Sequence, residues 1–169
     1  MPLESTELKE ATSNLFIIDF LNQFKWKQFC GVFASNTIPE DVYTKKEFSI
    51  ICNLSRYNEE GTHFVSIIKY NNTILYLDPL ALYIDLNDDI NTFIYRCNCE
   101  NVLKLQRPIQ DMNSWYCGYF CIFFVLFFNR ELECRKELTP FVSESEDLIK
   151  NDCICLDNIM LIFNECQNK

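Results

Sequence analysis

The sequence predicts an α+β domain, and three observations carry that reading. A helical pattern opens the chain, strand-like segments fill its middle and helical patterns return at its end, which fits layers of sheet and helix packed on one core. Residues 62–70 and 73–78 read as two strands joined by Asn71-Asn72, a hairpin turn. Residues 119–128 form an unbroken apolar run, too short for a bilayer, which takes about 20 residues. Such a run fits a helix buried on all sides.

The elements follow in order. Across residues 4–29, Leu8, Ala11, Leu15, Ile18, Leu21 and Phe24 recur at three- and four-residue spacing, the mark of a helix with one apolar face. Ser5 or Thr6 is placed to cap it. Gly31 breaks this pattern, and residues 31–39 read as an extended connection. Residues 47–54 alternate like a strand, with Phe48, Ile50, Cys52 and Leu54 on one face, and residues 56–61 make a polar turn. Residues 85–96 read as a helix capped by Asp85 or Asn87, with Ile90, Phe93 and Ile94 inward. A fourth strand spans 101–106 and a central helix 117–132. Residues 143–150 are loop or short helix, and residues 151–166 a terminal helix. With no repeat and no linker, residues 1–169 read as a single domain, long enough to bury one sizeable core.

Composition narrows the class. Hydrophobic residues make up 49%, with 15 Phe and 8 Tyr, so the core is expected to be aromatic. A formal charge of −9 lacks the basic footprint of a nucleic-acid binder. The 10 Cys do not require a disulfide scaffold in a chain of this size, and no secretory signal or membrane span is read, so reduced, intracellular thiols are expected. Cys97-Asn98-Cys99 and Cys153-Ile154-Cys155 are spaced too tightly for the usual zinc knuckle, and no second His exists to help. Neither metal nor cofactor is expected.

The chemistry gathers around the one histidine. His63 lies in Gly61-Thr62-His63-Phe64, ahead of a strand; Asp78 closes the next strand, before Pro79; Cys117 opens the apolar helix, followed by Gly118. An intracellular Cys with a His and an acid elsewhere in the chain is a candidate nucleophile. Thiol hydrolysis needs a thiolate, which a helix N-terminus and a neighbouring imidazolium both favour. Asp78 is placed to aim the imidazole through its other ring nitrogen. A tetrahedral oxyanion needs donors: the N–H of Cys117 is one, and Gln110 and Asn113 lie in the loop upstream. The three glycines, Gly31, Gly61 and Gly118, sit beside these features, where backbone shape matters. Trp115 and Tyr116 read equally as cleft lining or core filling, and Cys121 as a small core residue.

The run Gln110-Asp111-Met112-Asn113-Ser114-Trp115-Tyr116-Cys117-Gly118, with Gly61-Thr62-His63 before an aromatic, Leu77-Asp78-Pro79, and the loop 29–39, resembles the adenovirus-type maturation proteases. These are the adenain-like branch of papain-fold cysteine proteases, to which the SUMO- and ubiquitin-like-specific proteases also belong. The resemblance covers residues 12–130. It implies a papain-like α+β fold in which the central helix starts at the nucleophile and packs on a small mixed, mostly antiparallel sheet. It implies Cys117 as nucleophile, His63 as base, Asp78 as orienter and Gln110 as oxyanion donor, with Gln106 the weaker rival. Phe64, Trp115, Tyr116 and Gly118 become the expected cleft residues. Phe64 stands where the family usually carries Trp, and Asp78 matches the SUMO-type branch where adenoviral enzymes often use Glu. The function implied is cleavage of viral capsid or core precursors after glycine-containing sites, by a monomer in host cytoplasm or nucleus and in the virion. Deconjugation of SUMO- or ubiquitin-like proteins is the alternative, and an inactive assembly module the third. In adenoviral enzymes an upstream Cys accepts a peptide activator through a disulfide, and Cys97 and Cys99 lie in a similar region. Those enzymes are basic and use DNA; an acidic chain is expected not to.

Overall fold

The computed structural model of the chain describes residues 12–82, 87–129 and 148–167. Among them, β1 (Phe29–Ala34), β2 (Phe48–Asn53), β3 (Phe64–Tyr70), β4 (Thr73–Leu77) and β5 (Asn101–Lys104) form one sheet in the order β1-β2-β3-β4-β5. The central junctions, β2–β3 and β3–β4, are antiparallel, as the hairpin pattern predicts. The outer two, β1–β2 and β4–β5, are parallel, so the sheet is mixed. Asn71 and Asn72 both take positive φ, 46° and 64°. Two such residues make the tight turn whose twist matches paired strands, and asparagine tolerates that backbone better than most side chains.

Both faces of the sheet are covered. Alternation sends Phe48, Ile50 and Cys52 of β2 to one side, where they join Ile67, Ile74, Tyr76 and the short helices α2 (Glu40–Thr44) and α3 (Asp88–Arg96) through Val42, Ile90 and Phe93. Ile51 and Phe64 point the other way, into a larger cluster built by α1 (Asn14–Asn22), α4 (Cys117–Phe128) and α5 (Leu148–Gln167). The aromatic expectation holds there: Phe163 of α5 stacks near Phe16 and Phe20 of α1, and Tyr119 meets Phe16 edge-on at 5.8 Å. α4 lies at the centre, with eight of its residues buried. Ser66 of β3 donates to the Cys121 carbonyl at 3.2 Å, tying strand to helix. No helix among the described residues is long and apolar enough to cross a membrane.

Several boundaries differ from the sequence reading. The first helix ends at Asn22, and Ser13 caps it by accepting from the Phe16 N–H at 3.1 Å; Ser5 and Thr6 lie outside the described residues. Gly31 does not end a helix. It sits inside β1 at φ +133°, where the register against β2 shifts, a bulge that a side chain would strain. The segment read as an extended connection is thus an edge strand followed by α2. Asn87 caps α3, its side chain accepting from the Ile90 N–H at 3.0 Å, while Asp85 lies outside the described residues.

Gly118 is required by packing. A Cβ there would stand 2.6 Å from Thr12 Cβ and 2.7 Å from its Oγ1, inside any real contact distance. Gly118→Ala is therefore expected to cost about 1–3 kcal/mol through overpacking, read as a lowered melting temperature. An unchanged melting temperature would show that Thr12 yields freely.

Candidate active site

The hairpin register creates the site. Ser66 of β3 pairs with Leu77 of β4, so His63 and Asp78 both lie just beyond the last ladder pair, at the same end of neighbouring strands. His63 Nε2 and Asp78 Oδ1 are 2.6 Å apart. The carboxylate is itself held on both oxygens: Oδ1 also accepts from the Leu80 N–H at 2.8 Å, and Oδ2 from the Leu82 N–H at 3.1 Å. Folding the chain back this tightly puts Ala81 at φ +51°, with its N–H donating to the Asp78 carbonyl at 2.9 Å. A non-glycine residue there costs about 1–2 kcal/mol, offset by three backbone hydrogen bonds converging on one aspartate.

With Nε2 committed to Asp78, Nδ1 is the ring nitrogen left for the Cys117 sulfur, with which His63 also hydrogen-bonds. Burial by itself pushes the imidazolium down; the hydrogen bonds to Asp78 and Cys117, and the charges of both, outweigh it and raise His63 to about 9. Cys117 is the first residue of α4, and its Sγ accepts from the Phe64 N–H at 3.5 Å. No side chain caps α4. The N–H groups of Cys117 and Gly118 have no intrahelical partner by the geometry of any α-helix, and the helix dipole favours negative charge beside them. The three residues singled out as a triad therefore meet in one place, with the Phe64 N–H and His63 both on the sulfur.

Gln110 lies in the loop before α4, almost wholly buried. Its Nε2 donates to the Ser114 carbonyl at 3.0 Å, which fixes which end of the amide is nitrogen, and its Oε1 has no hydrogen-bond partner. One of the two amide hydrogens is thus used, and a buried amide oxygen is left bare, a cost of about 1–3 kcal/mol that a purely structural residue would not need. Its rivals look outward. Gln106 donates to the Lys104 carbonyl at 3.2 Å from the surface, and the Asn113 N–H is engaged by the Asp111 carboxylate at 2.9 Å.

A cleft of about 410 Å³ opens over His63 and Cys117. Phe64, Trp115 and Tyr57 line it, the first buried and Trp115 69% exposed. Tyr116 instead packs on the core, its ring 6.0 Å from that of Tyr119, and Gly118 faces Thr12; neither is part of the cleft lining. The 56–61 turn also forms a wall of it, bringing Glu59 and Glu60. Arg56, also on that wall, is taken by Asp89, with contacts of 2.8 and 2.9 Å.

Sequence reasoning missed Asn53, whose Oδ1 accepts from the N–H groups of Ser55 at 2.9 Å and Thr62 at 3.4 Å and so steadies the approach to His63. It also missed Asn151 and Asp152 of α5, both nearly fully buried although polar. An Asn-Asp pair in a helix whose buried positions are mostly apolar was the signal. Among the described residues no group of three His, Cys, Asp or Glu is arranged to hold a metal.

No protein-family model matches the sequence, and a search of curated proteins finds no match. Solved structures do match. The pS273R protease of ASFV aligns with a TM-score of 0.55 at 13% identity, over 85% of this chain and 67% of that one. ChlaDub1 from Chlamydia trachomatis aligns with a TM-score of 0.58 at 11% identity, over 99% of this chain and 95% of that one. At such identity the likeness speaks for architecture alone. A central helix opening at Cys117, laid on a small mixed sheet with His63 and Asp78 at one end, is the papain-like cysteine-protease fold of the SUMO- and ubiquitin-protease type.

Proposed function

We propose that the chain is a cysteine endopeptidase that cleaves viral or virus-derived precursor proteins after glycine-containing sites. The observation that carries this reading is the ordered contact chain Asp78–His63–Cys117, 2.6 Å at its first link, ending at an uncapped helix N-terminus. In the proposed reaction the Cys117 thiolate attacks the scissile carbonyl carbon. The new oxyanion takes hydrogen bonds from the Cys117 N–H and the Gln110 amide. His63 Nδ1–H then protonates the departing amine, leaving a thioester, and the neutral imidazole takes a proton from the water that hydrolyses it. Asp78 holds the ring in register throughout without exchanging a proton.

The cleft supports a narrow substrate. Two large rings, Phe64 and Trp115, line the cleft beside His63 and Cys117, which supports glycine next to the scissile bond. Glu59 and Glu60 disfavour acidic segments. A second reading, deconjugation of SUMO- or ubiquitin-like proteins, draws on the match to ChlaDub1, which extends over 95% of that chain. Profiling a peptide library beside SUMO and ubiquitin C-terminal fluorogenic probes separates the two. Cleavage of glycine-containing peptides with the folded probes left intact is the expected result. Preference for the probes would move the function to deconjugation, and no turnover on either would leave a binding module.

A further inference from the structure

Hydrogen bonds tie the Gln110 loop to the turn after Asp78 on one side and to α5 on the other. Gln110 Nε2 donates to the Ser114 carbonyl, closing the loop on itself. The N–H groups of Ile109 and Gln110 donate to the Pro79 carbonyl at 2.9 and 3.2 Å, joining the loop to the turn that holds Asp78. From the other side Asn151 Nδ2 donates to the Ile109 carbonyl at 3.1 Å, and Asp152 Oδ1 accepts from the Asp111 N–H at 3.2 Å. The Ser114 hydroxyl lies 3.0 Å from the Asp111 carbonyl and also within reach of the Asp152 carboxyl, so its one hydrogen is shared between these two acceptors. The two α5 residues thus grip Ile109, Asp111 and Ser114, the neighbours of Gln110 on both sides and the residue its amide leans on.

We propose that Asp152, assisted by Asn151, is a positioning residue of the active site, fixing the loop so that the Gln110 amide is presented to the developing oxyanion. This rests on the protease reading above. Neither residue is placed for packing alone. Both are nearly fully buried in a helix where Ile154, Cys155, Ile159 and Ile162 are buried and apolar, and where Asn158 is the other buried polar residue. Burial pushes the Asp152 carboxyl up, and the Asp111 charge adds to that; only the hydrogen bonds from Ser114 and the Asp111 N–H pull it back. A helix that needed only to fill space gains nothing by carrying such a group. Its acceptor oxygen is what the loop uses, so an uncharged amide of the same shape serves equally.

That last point makes the test. The variants are Asp152→Ala, Asp152→Asn, Gln110→Ala and the double Asp152→Ala/Gln110→Ala, assayed on a fluorogenic peptide amide ending in Gly-Gly. In parallel, Cys117 is alkylated with iodoacetamide, a displacement that forms no oxyanion. Asp152→Ala is expected to lower kcat by about tenfold to a hundredfold with KM little changed, the scale for losing aim at an oxyanion donor. Asp152→Asn should stay within about threefold of wild type, since its amide oxygen still accepts from the Asp111 N–H. The double variant should lose no more than Gln110→Ala alone, because both act on one donor. Cys117 alkylation should remain within about twofold in every variant. Asp152→Ala with wild-type kcat, losses that multiply in the double variant, or alkylation that falls as steeply as kcat would overturn the proposal while the protease reading stands. Wild-type protein that alkylates rapidly at Cys117 but hydrolyses no glycine-terminated amide or folded probe sinks the protease reading, and this inference with it.

Discussion

Cys117→Ala and His63→Ala are each expected to abolish peptide hydrolysis, by a factor on the order of 10⁴ or more. Alanine at 117 removes the nucleophile outright and touches little else: the site is a helix start, where alanine is well tolerated. At 63 it removes both the base and the partner of Asp78, a buried carboxylate left then with only the Leu80 and Leu82 N–H groups. That variant should therefore lose stability as well as activity. Since the two residues act as one unit, the double variant should fall little below either single one. Asp78→Asn should cost less, on the order of 10²-fold, because Asp78 orients the imidazole without reacting, although the amide keeps an acceptor for only one of the Leu80 and Leu82 N–H groups and loses the charge that holds the imidazolium. Steady-state turnover beside thermal melts separates chemistry from folding. Full turnover in Cys117→Ala would end the proposed mechanism.

How much of this was legible in the sequence follows from where the interactions lie. The hairpin could be read because Asn71-Asn72 supplies its own turn chemistry, and that register alone puts His63 and Asp78 at one end of the sheet. The helix at Cys117 could be read because its apolar run has no polar face to confuse the period. Local pattern fails where tertiary contact decides. Gly31 looked like a helix stop because glycine usually is one near such a pattern; only the parallel pairing with β2 makes it a bulge. Residues 29–34 lack a clean alternation because all six positions are half-buried at a sheet edge. Tyr116 faces the core, not the cleft, because α4 turns it toward Tyr119, a choice of helical phase that neighbouring residue names do not fix. Asn151 and Asp152 were invisible as site residues for a simpler reason: their partners, Ile109 and Asp111, lie some 40 positions away.

The reactivity of the thiols is the second large effect, and its direction follows from burial and charge. Cys52, Cys121 and Cys155 are enclosed and pushed well up, Cys97 is pushed up to about 12, and Cys30 is also raised, each by burial first. These five are held as thiols at neutral pH. A thiol of ordinary pKa is ionised to well under about 1% at pH 6. Cys117 differs in its position: it opens α4 beside His63, whose imidazolium persists to about pH 9. Iodoacetamide at pH 6 is therefore expected to label Cys117 about 30-fold or more faster than the other mapped cysteines, and the contrast should vanish in His63→Ala. The same raised value sets a sign for stability. The His63 contribution is fully present below 6.5, the ordinary histidine value, and is lost as pH rises through about 9. Melting temperatures of wild type and His63→Ala, compared across that interval, should therefore converge as pH rises. Uniform labelling at pH 6, or a stability gap that widens toward alkaline pH, would show that His63 and Cys117 do not rest as a charged pair.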